Sequence, residues 1–311
     1  MPVRVAEEWL ATCGGCEVTI LDIGEPLLNI LPKLQFVHMP VLMDNKYFGQ
    51  TGEKKALEIP QADVGIITGS IRNKENRHIA EEMRKKCKTL IAMGSCACYG
   101  GIPALGNLST KDEILDKVYR GSKSTDSASN PNKDIPEMED RVYSVAEVVK
   151  CDIELPGCPT SPELFAEALT ALLEGKPFKL SEKSVCDECP TKREKKAVSN
   201  LKRPLEPIEA KPGQPLSEVR CLMEQGFLCQ GPATKSGCGG TTDKTPRCIK
   251  AYMPCRGCFG PIRKGANPMV DMMNALSTAG LKADQIADRA ATFNRFIGVV
   301  GRLRPAAGPR R

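Results

Sequence analysis

Fifteen cysteines in 311 residues constrain this chain more than any other feature of its sequence. Three pairs stand as C-x-x-C, at Cys13/Cys16, Cys186/Cys189 and Cys255/Cys258, a spacing that lets two thiolates share one metal and favours metal over disulfides. The N-terminus, MPVRVAEEWLATCGGC, has no basic segment ahead of an apolar stretch and no twin-arginine pair, so no export signal is visible. The longest apolar runs, VGIITGSI and TLIAMG, fall well short of the ~20 residues that cross a bilayer. The expectation is a cytoplasmic protein without a membrane segment, whose thiols stay reduced and available to metals.

The chain is long enough for two domains. Over residues 1–178 short apolar runs alternate with helical patterns, which predicts an α/β, parallel-sheet domain with crossover helices. Strands are expected near Val3–Glu7, Phe36–Leu42, Val64–Thr68, Leu90–Met93 and Ile153–Leu155. Helices are expected over Val18–Leu31, Lys74–Lys86 and Pro162–Glu174, and the polar stretch from Gly121 to Asp140 as a surface loop. From residue 179 to 311 the pattern changes to an irregular, Gly- and Pro-rich segment with few helices. Eight cysteines lie between Cys186 and Cys258, among too few apolar residues for a separate core, so metal ligation is expected to supply the stabilisation. An amphipathic stretch from Asn267 to Phe296 should close the chain with one or two helices, followed by a frayed basic tail, GRLRPAAGPRR.

Basic residues outnumber acidic ones, 44 to 38, and much of the excess sits in that tail. No interleaved aromatics and no nucleic-acid motif accompany it, so a solvated or partner-docking terminus is the better reading. Neither G-x-G-x-x-G nor G-x-x-x-x-G-K-[ST] occurs, which leaves flavin and nicotinamide binding without support. Nor is there a pair of C-x-x-C motifs at the two ends suited to holding nickel.

Four cysteines of the first domain share a type of position. Cys13 and Cys16 follow the first expected strand, Cys96 lies in GSCACYGG after the fourth, and Cys158 lies in LPGCP after the fifth. Loops leaving the carboxyl ends of parallel strands converge on one crevice. Structural zinc usually draws on two compact C-x-x-C knuckles, whereas one pair here is local and two ligands are single, so a 4Fe-4S cluster fits better. In the second segment chain order gives two sets, Cys186, Cys189, Cys221 and Cys229, then Cys238, Cys248, Cys255 and Cys258. Two zinc ribbons would also use these eight, and spacing alone does not exclude them. Three cysteines remain: Cys87 and Cys151 read as small apolar fillers beside strand starts, while Cys98, two residues from Cys96, could replace it as a ligand.

The ordered motifs C-G-G-C, G-S-C-A-C-Y-G-G and L-P-G-C-P-T-S-P-E resemble those of the small subunit of nickel-iron hydrogenases, whose flavodoxin-like domain is shared with a cluster-bearing subunit of respiratory complex I. The resemblance implies a proximal cluster on Cys13, Cys16, Cys96 and Cys158, facing the nickel-iron centre of a large subunit. It favours Cys96 because threonine is common where Cys98 stands. It further implies a distal cluster on Cys186, Cys189, Cys221 and Cys229 and a medial one on Cys238, Cys248, Cys255 and Cys258. Many periplasmic members have histidine in place of Cys186, and proline in place of Cys248 with a three-iron medial cluster; here all three sites can be all-cysteine 4Fe-4S. Together with the missing export signal, this is similar to the viologen-reducing, deazaflavin-non-reducing hydrogenases of methanogens. It implies electron transfer through a ferredoxin-like subunit to heterodisulfide reductase, with no nucleic acid or membrane among the partners and no catalytic residue in this chain. A complex I-like connecting subunit and a non-redox zinc scaffold are the competing readings, the first opposed by the eight extra cysteines. Glu17, beside Cys16, could belong to a proton relay at the active-site face, but a surface or helix-start carboxylate is the favoured reading, and His38 and His78 are expected as ordinary structural residues.

Overall fold

The computed structural model describes residues 1–49, 51–124, 126–195, 198–263 and 265–298. The basic tail lies outside them. By contact the chain divides into two compact units, one built from residues 1–162 and rejoined at Ile297, the other spanning Glu163–Phe296. The expected division at 178/179 marks a change in composition, while the contact boundary falls earlier, after Pro162.

Among the described residues the first unit forms β1 (Val3–Trp9), β2 (Leu34–His38), β3 (Ala62–Thr68), β4 (Ile71–Asn73), β5 (Cys87–Met93), β6 (Met138–Tyr143) and β7 (Ile153–Leu155). Five make one sheet in the order β2-β1-β3-β5-β7, and every pairing within it is parallel. With the ribbon β4-β6 set aside, this is the flavodoxin-like order, in which the chain reverses direction across the sheet beside β1. β3 and β5 read as nearly unbroken apolar runs because they are interior strands, and Ile66, Ile67, Leu90, Ile91 and Met93 are all fully buried.

The helix Lys74–Lys86 forms as expected. Asn73 caps it by accepting from the Asn76 amide, Ile79, Ala80 and Met83 are buried, and Arg84, Lys85 and Lys86 sit in the last turn, where cations oppose the helix dipole. The helix expected over Val18–Leu31 is instead two, Gly15–Leu21 and Pro26–Ile30, because Gly24 takes φ +70° between them and Pro26 opens the second. The loop read from Gly121 to Asp140 ends earlier, since Met138 already begins β6, antiparallel to β4.

The second unit has no named strand among the described residues. Its apolar packing draws on both sides of the cysteine-rich segment's boundary: Met272 and Leu276 on the helix Pro268–Thr278, Leu281, and Phe293 on the helix Arg289–Asn294 pack with Val185, Met223, Cys229 and Cys255, and Leu222, Phe227 and Ile249 form a smaller cluster within the segment. The segment therefore does not rely on ligation alone. No described helix is long and apolar enough to cross a membrane.

Candidate metal centres

The first centre is assembled by loops leaving β1, β5 and β7. Beyond β1 the chain is stitched to the loop after β3, Leu10 donating to the Thr68 carbonyl and Ala11 exchanging backbone hydrogen bonds with Ser70 at 3.0 Å. It then turns at Gly14 (φ +81°) into the short helix that carries Cys16. The Ser95 amide donates to the Gly157 carbonyl at 2.7 Å and the Gly157 amide to Ser95 Oγ at 3.1 Å, tying the β5 loop to the β7 loop. Thr19 Oγ1 donates to the Thr160 carbonyl at 2.9 Å, joining the helix to the segment after the cis Cys158–Pro159 bond.

Glycines leave the room. A Cβ at Gly94 would collide with Cys16 Sγ, and one at Gly101 would lie 2.6 Å from Cys96 Sγ. At Gly15 it would meet Cys13 Sγ at 3.4 Å and Pro159 at 3.7 Å. Burial pushes the Cys16 thiol up to about 12, with the charges of Glu17, Cys96 and Cys158 adding to it. Burial likewise pushes Cys96 to about 12, with Cys158 and Cys13 adding. Cys16 and Cys96 thus both neighbour Cys158, and Cys96 also neighbours Cys13; the raised Cys16 and Cys96 thiols resist ionising alone near neutrality, and a bound cation removes that obstacle, because metal binding and thiol deprotonation are coupled. Gly94→Ala should strip this centre: φ is +87° and the new methyl meets a sulfur. We expect a loss of about 2 kcal/mol or more of stability and a missing cluster signal in paramagnetic resonance, against an unaltered spectrum if the pocket is elsewhere.

Cys98 donates its thiol to the Ala92 carbonyl at 3.3 Å and belongs to the same buried apolar cluster as Ala97, Leu90 and Ile79, with Cys16 and Cys96 among its electrostatic neighbours. Cys87 is buried in the same core and Cys151 packs on it.

In the second unit Cys186, Cys189, Cys221 and Cys229 line one cavity of about 640 Å³, walled also by Met223, Gly231 and Ile249. Cys186 lies in the helix Val185–Glu188, whose start is fixed by a Ser184–Asp187 capping box. A Cβ at Gly231 would approach Cys186 Sγ to 3.1 Å and Cys229 Sγ to 3.6 Å. Burial raises Cys186 to about 11, with Arg193 opposing, and Cys229 to about 12, with the Gly231 and Cys255 amides opposing. The Cys255 amide donates to Cys229 Sγ at 3.3 Å. Cys255 in turn adjoins Cys248 and Cys258, burial holding its thiol well above the ordinary range. Cys238, raised mainly by burial, also has Cys248 as a neighbour, so Cys248 is shared by Cys238 and Cys255. Among the described residues no three His, Cys, Asp or Glu side chains are gathered tightly enough to hold a single metal ion. The donor sets, all sulfur and drawn from glycine-lined crevices, fit iron-sulfur clusters.

One group of residues escaped sequence reasoning. Glu7, Glu8 and Glu17 are all buried; Glu17 does lie in the first turn of its helix, as expected, but not at the surface. Thr68 donates to Glu17, while Glu8 accepts from Tyr47 at 2.8 Å and meets His38 Nε2 at 2.5 Å. No donor reaches either oxygen of Glu7 among the described residues. Burial, then the charges of Glu17 and Glu8, pushes Glu7 up to about 9. The available signal was the pair itself: adjacent residues in a strand face opposite ways, so two successive glutamates on an interior strand cannot both reach solvent.

A flavodoxin-like sheet with a thiol set at its strand ends defines a class, and the chain matches the family model "NADH ubiquinone oxidoreductase, 20 Kd subunit" over residues 13–172. It is 41% identical over 301 residues to a vhu subunit of the F420-non-reducing hydrogenase of Methanocaldococcus jannaschii, covering 95% of each chain. It is 37% identical to the corresponding F420-non-reducing hydrogenase chain of Methanothermobacter marburgensis, covering 96% of this chain and 92% of that one. Among solved structures, an NAD+-reducing NiFe-hydrogenase chain superposes with TM-score 0.51 at 30% identity, over 57% of this chain and 94% of its own. A NiFeSe hydrogenase chain of Desulfovibrio vulgaris Hildenborough, 17% identical, shares the fold with TM-score 0.52 over 85% of this chain and 95% of its own. The chain belongs to the same family as these F420-non-reducing hydrogenase subunits, the hydrogenase small-subunit branch of that 20 Kd subunit family.

Proposed function

We propose that this chain is the electron-transfer subunit of a cytoplasmic nickel-iron hydrogenase and carries three 4Fe-4S clusters. Cys13, Cys16, Cys96 and Cys158 would hold one in the 1–178 domain. In the 179–311 domain Cys186, Cys189, Cys221 and Cys229 would hold a second, and Cys238, Cys248, Cys255 and Cys258 a third. The observation that carries this reading is the convergence of Cys13, Cys16, Cys96 and Cys158, distant in sequence, on the crevice beyond the strand ends. A relative in Archaeoglobus profundus, 34% identical over 84% of this chain, bears the name of an iron-sulfur subunit of F420-non-reducing hydrogenase.

When bound, such clusters supply one-electron redox chemistry. The chain's own residues would hold them in crevices in which Cys16, Cys229 and Cys255 are buried and Cys13 is exposed. Amide donors on sulfur, such as Cys255 N–H on Cys229, favour the more negative state and so set the potential. Hydrogen would be split in a partner large subunit, and the electrons would leave through a ferredoxin-like subunit linked to heterodisulfide reductase.

The isolated chain should then neither consume nor evolve hydrogen, whereas the complex with its large subunit should reduce a viologen dye with hydrogen. Hydrogen-dependent dye reduction by a preparation proven to lack a second chain would overturn this assignment.

A further inference from the structure

We propose that a cationic cavity beside Cys229 and Cys255 is the docking surface for an acidic electron-carrying protein, an inference that rests on the electron-transfer reading above. The cavity, about 510 Å³, lies within the Glu163–Phe296 unit and is lined by Gln230, Pro254 and Arg256, the sequence neighbours of those two cysteines. Four cations, Lys202, Arg203, Arg256 and Arg295, line it, and no acidic residue does.

Lys202 pairs with Glu209 at 3.2 Å, and its ammonium also lies 5.4 Å from the centre of the Phe227 ring, while the Glu206 carboxylate accepts from the Arg203 backbone amide at 2.6 Å. Arg203, Arg256 and Arg295 are exposed and pair with no carboxylate among the described residues. Three guanidiniums without an internal acceptor, gathered at one mouth, repel one another and raise the local positive potential. A fold keeps such an arrangement without loss when an anionic partner completes it, and the planar fork of arginine suits a carboxylate.

Two exposed apolar residues that adjoin the lining in sequence decide between a small anion and a protein. Leu205, 98% exposed, follows Arg203 and Pro204 directly, and Met253, 43% exposed, precedes Pro254. Exposed large apolar side chains beside unpaired arginines form the composition of a protein interface, apolar anchors with charged neighbours, and a bare anion would leave both anchors in water. The adjoining thiol set gives the partner its reason to dock here, because electrons pass efficiently only between centres brought close together. Complementary charge would then set the rate of encounter more than the final affinity.

The test uses the complex of this chain with its large subunit, reducing with hydrogen either an acidic two-cluster bacterial ferredoxin or a viologen dye. For the unmodified complex the KM for ferredoxin should rise steeply with salt. Arg203→Glu with Arg295→Glu should raise that KM about 100-fold at low salt and abolish the salt dependence, leaving dye reduction and iron content unchanged. Arg203→Gln with Arg295→Gln should give an intermediate rise, and this pair decides the matter if charge reversal disturbs folding. An unaltered ferredoxin KM in the variants, or an unmodified complex that reduces dye but not ferredoxin, overturns the docking surface. Failure of the unmodified complex to reduce dye instead overturns the electron-transfer reading.

Discussion

Replacing Cys248 by proline should release one iron from the cluster held by Cys238, Cys248, Cys255 and Cys258, and leave the other two clusters intact. The backbone tolerates the change. Cys248 is the second residue of the helix Arg247–Lys250, where an amide has no intrahelical acceptor, so proline removes a ligand without removing a helix hydrogen bond. Cys248→Ala, which keeps the amide, should behave alike and separates ligand loss from backbone effects. Losing an anionic thiolate and its iron should raise the potential of that centre, since cluster type is a main determinant of the wide range these centres span. A rise of roughly 300 mV, at about 59 mV per tenfold for one electron, would disfavour the onward step by about five decades, or roughly 7 kcal/mol. Delivery to a low-potential acceptor should therefore slow more than delivery to a high-potential dye. Paramagnetic resonance of the oxidised variant checks this: a new three-iron signal supports the ligand set, and an unchanged spectrum with full iron content removes Cys248 from it.

Glu7→Gln should stabilise the protein at alkaline pH and flatten its stability profile. Burial, with Glu17 and Glu8 nearby, raises the folded-state value of Glu7 from 4.5 to about 9. Below pH 4.5 both folded and unfolded chains keep the proton. Between 4.5 and about 9 the folded chain keeps it while the unfolded chain releases it, so stability falls with rising pH by about 1.4 kcal/mol per unit from this group. Above about 9 the loss is complete. Glutamine has the same shape and no charge to bury, although its amide has only Glu17 as a side-chain partner and its own oxygen finds no donor. Allowing for that cost, we expect a net gain of about 3 kcal/mol at pH 8, or roughly 5 °C in apparent unfolding temperature, shrinking toward pH 5. Thermal scans of the anaerobic full chain at one heating rate measure it. Parallel profiles for variant and wild type would show that Glu7 is not held protonated.

Where the chemistry demands a residue type, the sequence is legible. The sheet followed from apolar runs bounded by glycine: β7 was read to the residue, and β3 and β5 lacked only two or three residues at their starts. Cys13 and Cys16 follow β1, Cys96 follows β5 and Cys158 follows β7, as their expected places after strands implied. What stayed hidden depends on contacts across the fold. Cys96 and Cys98 are separated by one residue on a helical turn, and only packing tells which faces the crevice and which the Ala92 carbonyl. The ribbon β4-β6 pairs segments about 70 residues apart, and β6, reading MEDRVY, has no apolar run to announce it. The burial of Glu7, Glu8 and Glu17 was not legible because their enclosure comes from other elements, among them Thr68, His38 and Tyr47.

Iron, zinc and acid-labile sulfide measured together on the anaerobically purified full chain test the central claim most directly. Three all-cysteine 4Fe-4S clusters predict a brown protein with about twelve iron and about twelve sulfide per chain. Stoichiometric zinc with negligible iron and sulfide would contradict it.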